Sequence, residues 1–370
     1  MRAATQRAVR PGILVAVLLV CSAGPLSAAE PPYPQSLVIT KLTWAPASTI
    51  KRAASGSDNW PITWADDGNL YTSYGDGWGF EPLLSRKRSL GFAKVLGNPE
   101  AFRGVNILSI SGEQTGDGST GKKASGMLMV DGVLYMWVRN ADQTGHQCQL
   151  ARSNNYAATW VWSNWKFAEL GYCAFLNFGE NYAMARDSSV YMYSPDTASA
   201  YRETDRVVLT RVPKTQIMQR SSYEFFAGFD ADDYPIWTKD ISSRKSIFTF
   251  PGGCNRMDVT YDAALRRYLM TMRSRAKAGG VNHFSIYDAP EPWGPWTTVY
   301  YTENWEGGPL SKGNEDWGES QHIPSKWISA DGKTLYVLFA GKDSFSVRKA
   351  TLTVSTSGAD RRPPARPPIR

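Results

Sequence analysis

Five segments of this 370-residue chain share one pattern: an apolar strand, a tight turn usually built on Asp or Gly, and a second strand carrying a tyrosine. They are "ITWADDGNLYTSYGDG" from Ile62, "GMLMVDGVLYMWVRN" from Gly126, "YAMARDSSVYMYSPD" from Tyr182, "DVTYDAALRRYLMTMRS" from Asp258 and "KWISADGKTLYVLFAGKD" from Lys326. Their tyrosines, Tyr71, Tyr135, Tyr191, Tyr268 and Tyr336, follow at intervals of 64, 56, 77 and 68 residues. Each interval has room for about four strands and their loops, so the chain reads as a repeat of one small sheet. That predicts an all-β fold, a five-bladed β-propeller with four-stranded antiparallel blades. A β-sandwich would also contain hairpins but has no reason to space them this way. The clearest exception is a short helix expected near Pro213 to Phe226, where Ile217, Met218 and Tyr223 to Phe226 fall near one face.

The ends differ from this body. Residues 1–29 read as a signal peptide, with Arg2, Arg7 and Arg10 before an apolar run and a small-residue cleavage site at Leu26-Ser27-Ala28-Ala29. The expected location is therefore secreted or periplasmic. Residues 30–40 read as a Pro-rich linker, 41–354 as the propeller, and 355–370 as a disordered basic Pro-rich tail. The formal charge of +7 comes from the signal arginines and from Arg361, Arg362, Arg366 and Arg370, which leaves the body neutral. A neutral body lacks the electrostatic footprint of a nucleic-acid binder. No later run reaches the roughly 20 apolar residues of a membrane span. Cys148, Cys173 and Cys254 permit one disulfide of unassigned pairing, and the scattered His146, His283 and His322 argue against a zinc site. No metal or cofactor is expected, although an axial calcium is compatible with the architecture, and the chain is expected to be a monomer.

The densest stretch is "SDNWPITWADDGNLYTSYGDGWGF", residues 57–80. Asp66 and Asp67 precede Gly68-Asn69 and read as hairpin-turn residues. In an antiparallel hairpin the entry of the first strand and the exit of the second lie together, opposite the turn. Asp58 and Trp60 at the entry should therefore share a face with Asp76 and Trp78 at the exit. Applied to every repeat, the rule adds Lys122 and Lys123, Glu180 and Asn181, Arg256 and Asp258, and His322 and Lys326. A rim of carboxylates, cations and indoles suits a sugar, because rings stack on Trp and paired acids protonate a glycosidic oxygen or activate water. Asp58, Asp76, Asp258 and Glu180 are the candidate catalytic residues. Trp60, Trp78, Lys123, Asn181, Arg256, His322 and Lys326 are the candidate substrate contacts.

Several blocks carry a resemblance: the stretch at 57–80, "FLNFGENYAMARDSSVYMYS", "RVPKTQIMQRSSYEFFAGFD" and "APEPWGPWTTVYYTENW". Over about residues 40 to 352 the chain resembles exported bacterial proteins near the domain-of-unknown-function family 4185. That group is similar to five-bladed propellers of the glycoside hydrolase family 43 and sialidase-like kind. "SNNYAATW" at 153–160 resembles a degenerate sialidase Asp-box, a structural turn between outer blade strands. The resemblance implies a glycoside hydrolase acting on an extracellular or cell-wall polysaccharide, with an Asp base near the first inner strand and a Glu acid. Asp58 matches the first position in kind, while Glu180 and Glu319 both remain open for the second. A polysaccharide lyase and a non-catalytic glycan-binding propeller are the alternatives.

Overall fold

Strand-forming runs of Val, Tyr, Met and Trp, separated by Asp/Gly turns, become mostly antiparallel sheet, in units numbered by chain order, in the computed structural model, which describes residues 30–274, 282–310 and 315–355. The signal peptide and the basic tail lie outside the described residues. Strands β1 (Ile39–Trp44) and β2 (Lys51–Ala53) come first but belong to the last unit. The first sheet runs β3 (Ile62–Trp64), β4 (Leu70–Tyr74), β5 (Gly91–Leu96) and β6 (Arg103–Ile107). The second runs β7 (Lys123–Val130), β8 (Val133–Arg139), β9 (Cys148–Ser153) and β10 (Val161–Phe167). The third holds β11 (Ala174–Asn177), β12 (Ser189–Pro195), β13 (Thr204–Pro213), β14 (Glu224–Phe229) and β15 (Pro235–Thr238), with β16 (Ser246–Cys254) also paired to β13. The fourth runs β17 (Arg256–Asp262), β18 (Arg267–Ser274), β19 (His283–Ala289) and β20 (Thr297–Thr302), and a parallel pairing of β11 with β17 joins it to the third in one ten-stranded sheet. After a small hairpin, β21 (Asn304–Trp305) and β22 (Gly308–Pro309), the fifth sheet runs β23 (Gln321–His322), β24 (Thr334–Phe339), β25 (Phe345–Val354) and finally β1.

The repeated tyrosines all fall on the second strand of a unit, namely β4, β8, β12, β18 and β24. First strands contact one another in sequence: β3 with β7, β7 with β11, β11 with β17 and β17 with β23. The short 3-10 turn Ser325–Trp327 after β23 contacts β3. Hydrogen bonds tie these strands together. Thr63 on β3 donates to Asn177 Oδ1 on β11 at 2.8 Å and accepts from the Met129 N–H of β7 at 3.0 Å. Asn59 Nδ2 donates to the Ala124 carbonyl at 2.6 Å. Aromatic and aliphatic side chains fill the spaces between sheets. Trp60 is fully buried against Tyr74, Phe80 and Phe345.

Local turn chemistry explains several elements. Asp67 Oδ1 accepts the Asn69 N–H at 3.0 Å, which closes the β3–β4 hairpin as its sequence requires. The Asp-box-like stretch joins β9 to β10: Ser153 Oγ accepts the Ala157 N–H, and Asn155 Oδ1 accepts the Thr159 N–H. Ala157 takes a left-handed φ of 70° where glycine is the usual residue.

Three expectations change. The helix near 213–226 is two 3-10 turns, Lys214–Gln216 and Arg220–Ser222, followed by β14, so its apolar residues pack as loop anchors and strand. The first strand of the third unit is β11, not the stretch from Tyr182. Residues Glu180–Tyr182 form a 3-10 turn inside the long β11–β12 connection. The segment read as a linker is also anchored: Ser36 N–H donates to the Thr298 carbonyl, Thr298 N–H donates to the Pro34 carbonyl, and Tyr33 packs on Phe248. Cys148, Cys173 and Cys254 are buried free thiols. Among the described residues no helix is long and apolar enough to cross a membrane.

Candidate active site

A cavity of about 510 Å³ opens where entries of first strands meet exits of second strands. All five units supply its lining. The first contributes Asp58 and Asp76, the second Lys123 and Arg139, the third Tyr201 and Glu203, the fourth Arg256 and Arg273, and the fifth unit Glu319. Backbone pairing fixes these positions. Asp58 and Gly75 exchange two backbone hydrogen bonds of 2.9 and 2.7 Å, which brings Asp76 beside Asp58. Lys123 sits opposite Arg139 across β7 and β8, and Arg256 sits opposite Arg273 across β17 and β18. Asp76 turns the chain away with a left-handed φ of 44°.

The charges are interlocked. Lys123 Nζ donates to Asp76, and Arg256 donates to the Glu319 carboxylate. Arg273 donates to the Glu319 backbone carbonyl and stacks on Trp317 with its guanidinium 4.5 Å from the ring centre. Arg139 donates to the Tyr201 hydroxyl at 3.2 Å, and that oxygen also receives Asn140 Nδ2 at 2.9 Å. Tyr201 in turn donates to the Gly118 carbonyl at 3.0 Å. Asn255 Nδ2 holds Glu203 at 3.1 Å.

Two carboxyls are driven apart in proton affinity. Burial, reinforced by the neighbouring negative charges of Glu319 and Asp76, pushes Asp58 up to about 7, against the lowering pull of Lys123 and Arg139. Its Oδ1 is buried with no hydrogen-bond partner. Glu319 moves the opposite way: the Arg256 charge beside it, with help from Arg273 and Arg139, outweighs its burial and holds it far below the usual carboxylate range. Near neutral pH the pocket therefore contains one carboxyl poised to carry a proton and one fixed as an anion.

Of the residues singled out from sequence, Asp58, Asp76, Lys123 and Arg256 line the cavity, as does Glu319. Trp60 is core rather than rim. Trp78 is over a third exposed, with its backbone N–H donated to Ser57 Oγ, and is not part of the lining. Asp258 and His322 are buried on adjacent first strands, with Oδ2 3.4 Å from Nδ1, and also lie outside the lining. Lys122 spans to Gln149 and lies over the Trp162 ring.

Glu180, Asn181 and Lys326 belong to the opposite, turn end of the hairpins. Asn181 Oδ1 accepts the Gly132 N–H of the β7–β8 turn, and Lys326 Nζ donates to the Gly68 carbonyl of the β3–β4 turn. A Cβ placed on Gly68 would meet Glu180 Oε1 at 3.9 Å. The entry-and-exit rule misplaced Glu180 and Asn181 because the first strand of the third unit was assigned too late. Lys326 follows β23 instead of preceding it. Arg139 and Arg273 were not named from sequence, yet the same rule indicates them as second-strand exits. Tyr201, Glu203 and Asn255 come from loop segments with no periodic signal. Among the described residues no group of three His, Cys, Asp or Glu side chains is disposed to hold a metal.

No protein-family model and no curated protein matches the chain. Solved structures do. The GH43_1 enzyme from Xanthomonas citri complexed with xylose aligns over 84% of this chain and 94% of its own, at 14% identity and a TM-score of 0.46. An α-L-arabinofuranosidase from Podospora anserina in complex with cellotriose aligns over 86% and 98%, at 11% identity and 0.44. The RS223-Beta-xylosidase aligns over 83% and 98%, at 11% identity and 0.47. Identities and scores this low leave reaction and substrate to be read from the pocket.

Proposed function

We propose that this chain is an exported glycoside hydrolase whose five sheet units are the blades of a propeller, with the carbohydrate bound where their strand ends converge. The leader-like residues 1–29 support export. The observation that carries the reaction is one cavity holding Asp58, pushed up to about 7, with Asp76 beside it on the Lys123 ion pair. Glycosidic cleavage needs a carboxyl that keeps a proton for the leaving oxygen and a carboxylate that stays ionised.

Asp58 takes the acid role, reversing the base role that the family resemblance implies for it. Its affinity near neutrality matches proton delivery at ambient pH. Asp76, held by Lys123 and a quarter exposed, is the carboxylate that activates water. Glu319, locked by Arg256, is too weakly basic for that task. Its fixed charge keeps the proton on Asp58 and stabilises positive charge developing at the sugar ring.

The test is release of reducing ends from a panel of bacterial and plant polysaccharides by the full chain and by Asp58→Asn. The variant should lose about 10²- to 10⁴-fold in kcat, the usual contribution of a positioned acid, while retaining glycan binding. An unchanged rate in Asp58→Asn, or no cleavage across the panel, would overturn the reading. An ultraviolet-absorbing unsaturated product would replace hydrolysis with elimination.

A further inference from the structure

Two features of the pocket are unexplained by neutral-sugar hydrolysis. The first is a pair of like-charge contacts at equivalent places: Lys123 directly opposite Arg139, and Arg256 directly opposite Arg273. Like charges facing each other across a strand pair destabilise a sheet. The second is that Arg139, unlike Lys123 and Arg256, forms no ion pair with a resident carboxylate among the described residues. Asp76 engages Lys123, and Glu319 engages Arg256 through its carboxylate and Arg273 through its carbonyl. Arg139 is only 1% exposed, yet its contacts are the Tyr201 hydroxyl and ring face, and its Nε has no hydrogen-bond partner.

The charges of Asp58 and Glu319 act on Arg139 without an ion-pair contact, and Asp58 itself is pushed up to about 7. A buried guanidinium without a directly paired anion is costly. A planar fork of N–H donors opening on a cavity fits a carboxylate or a sulfate, which it binds through paired charge-assisted hydrogen bonds.

We infer that the pocket selects a carbohydrate bearing an anionic substituent, a uronate carboxylate or a sulfate ester, bound by Arg139 with Tyr201 fixing the guanidinium. The inference rests on the carbohydrate reading above and adds the substrate class. Tyr201 is a positioning residue here, since its hydroxyl accepts from Arg139 and Asn140 and anchors on the Gly118 carbonyl.

The experiment is calorimetric titration of the full chain with tri-galacturonate and its carboxyl-reduced trisaccharide, and with a sulfated trisaccharide and its desulfated counterpart. One acidic member should bind about tenfold or more tighter than its neutral partner, the scale of a single charge-assisted hydrogen bond. The pair showing the difference tells carboxylate from sulfate. Arg139→Gln should erase the preference, read as the ratio of acidic to neutral affinity within the variant. Should that variant not fold, Tyr201→Phe, which removes the hydroxyl that fixes the guanidinium, should lower the preference. Equal binding of acidic and neutral members, no binding of either acidic probe, or a preference that survives Arg139→Gln would overturn the inference. Acidic binding without cleavage would sink the hydrolase and leave this assignment standing. Cleavage confined to neutral glycans would do the reverse.

Discussion

At the scale of single residues, Asp58 concentrates the argument, and its raised proton affinity has consequences for rate and stability with calculable sign. An acid must be protonated to act, so kcat/KM should fall as pH rises through about 7, and that limb should vanish from the residual activity of Asp58→Asn. For stability, a carboxyl whose folded affinity lies above its unfolded value contributes fully below about pH 4, and the contribution is lost as pH rises through about 7. Asp58→Asn should therefore melt at a higher temperature than the unaltered chain at pH 8, with the difference shrinking toward pH 4. Glu319 has the opposite sign. Its affinity is lowered by Arg256, so its contribution is present above the unfolded carboxylate range and is lost on acidification. Glu319→Gln should lower the melting temperature at pH 7, and thermal scans of the two variants across pH separate the effects. Asp58 and Asp76 were legible in sequence because strand entry and exit are fixed by the hairpin that contains them. Arg139 and Arg273 were equally determined, since pairing places them directly across from Lys123 and Arg256, which sequence did identify.

At the scale of elements, the interface between first strands depends on a few polar side chains. Thr63 serves β3, β7 and β11 at once. Thr63→Val keeps the shape but leaves the buried Met129 N–H unanswered, and should cost about 1–3 kcal/mol in denaturant unfolding. Trp60→Ala removes a core ring in contact with three aromatics and should cost about 3–5 kcal/mol. Glycan affinity should change little, because the ring is not part of the cavity lining. The second strands were readable because turn chemistry and a tyrosine mark each one. The third unit was misread where β11, only four residues long, is separated from β12 by a connection with its own turn. A buried strand of that length has no alternation to betray it, and its displacement carried Glu180 and Asn181 to the wrong end.

At the scale of the whole molecule, the first strand of the chain completes the last sheet. β1 pairs with β25 from Ile39 opposite Val354 to Trp44 opposite Ala350. Starting the chain after Trp44 should expose the β25 edge and lower the unfolding temperature, with aggregation on heating. The repeat spacing made the sheets legible, whereas the loop residues Tyr201, Glu203 and Asn255 were not, because only the folded chain brings segments so far apart into one wall. Burial first, and then the same convergence, set the proton affinity of Asp58, with Glu319 from the fifth unit, Asp76 beside it, and Lys123 and Arg139 from the second. Carboxyl ¹³C titration of aspartate-labelled full chain, with Asp58→Asn to identify the signal, measures that directly. The Asp58 signal should titrate near pH 7. A midpoint near 4, the ordinary aspartate value, would contradict the assembly of charges on which the proposed acid depends.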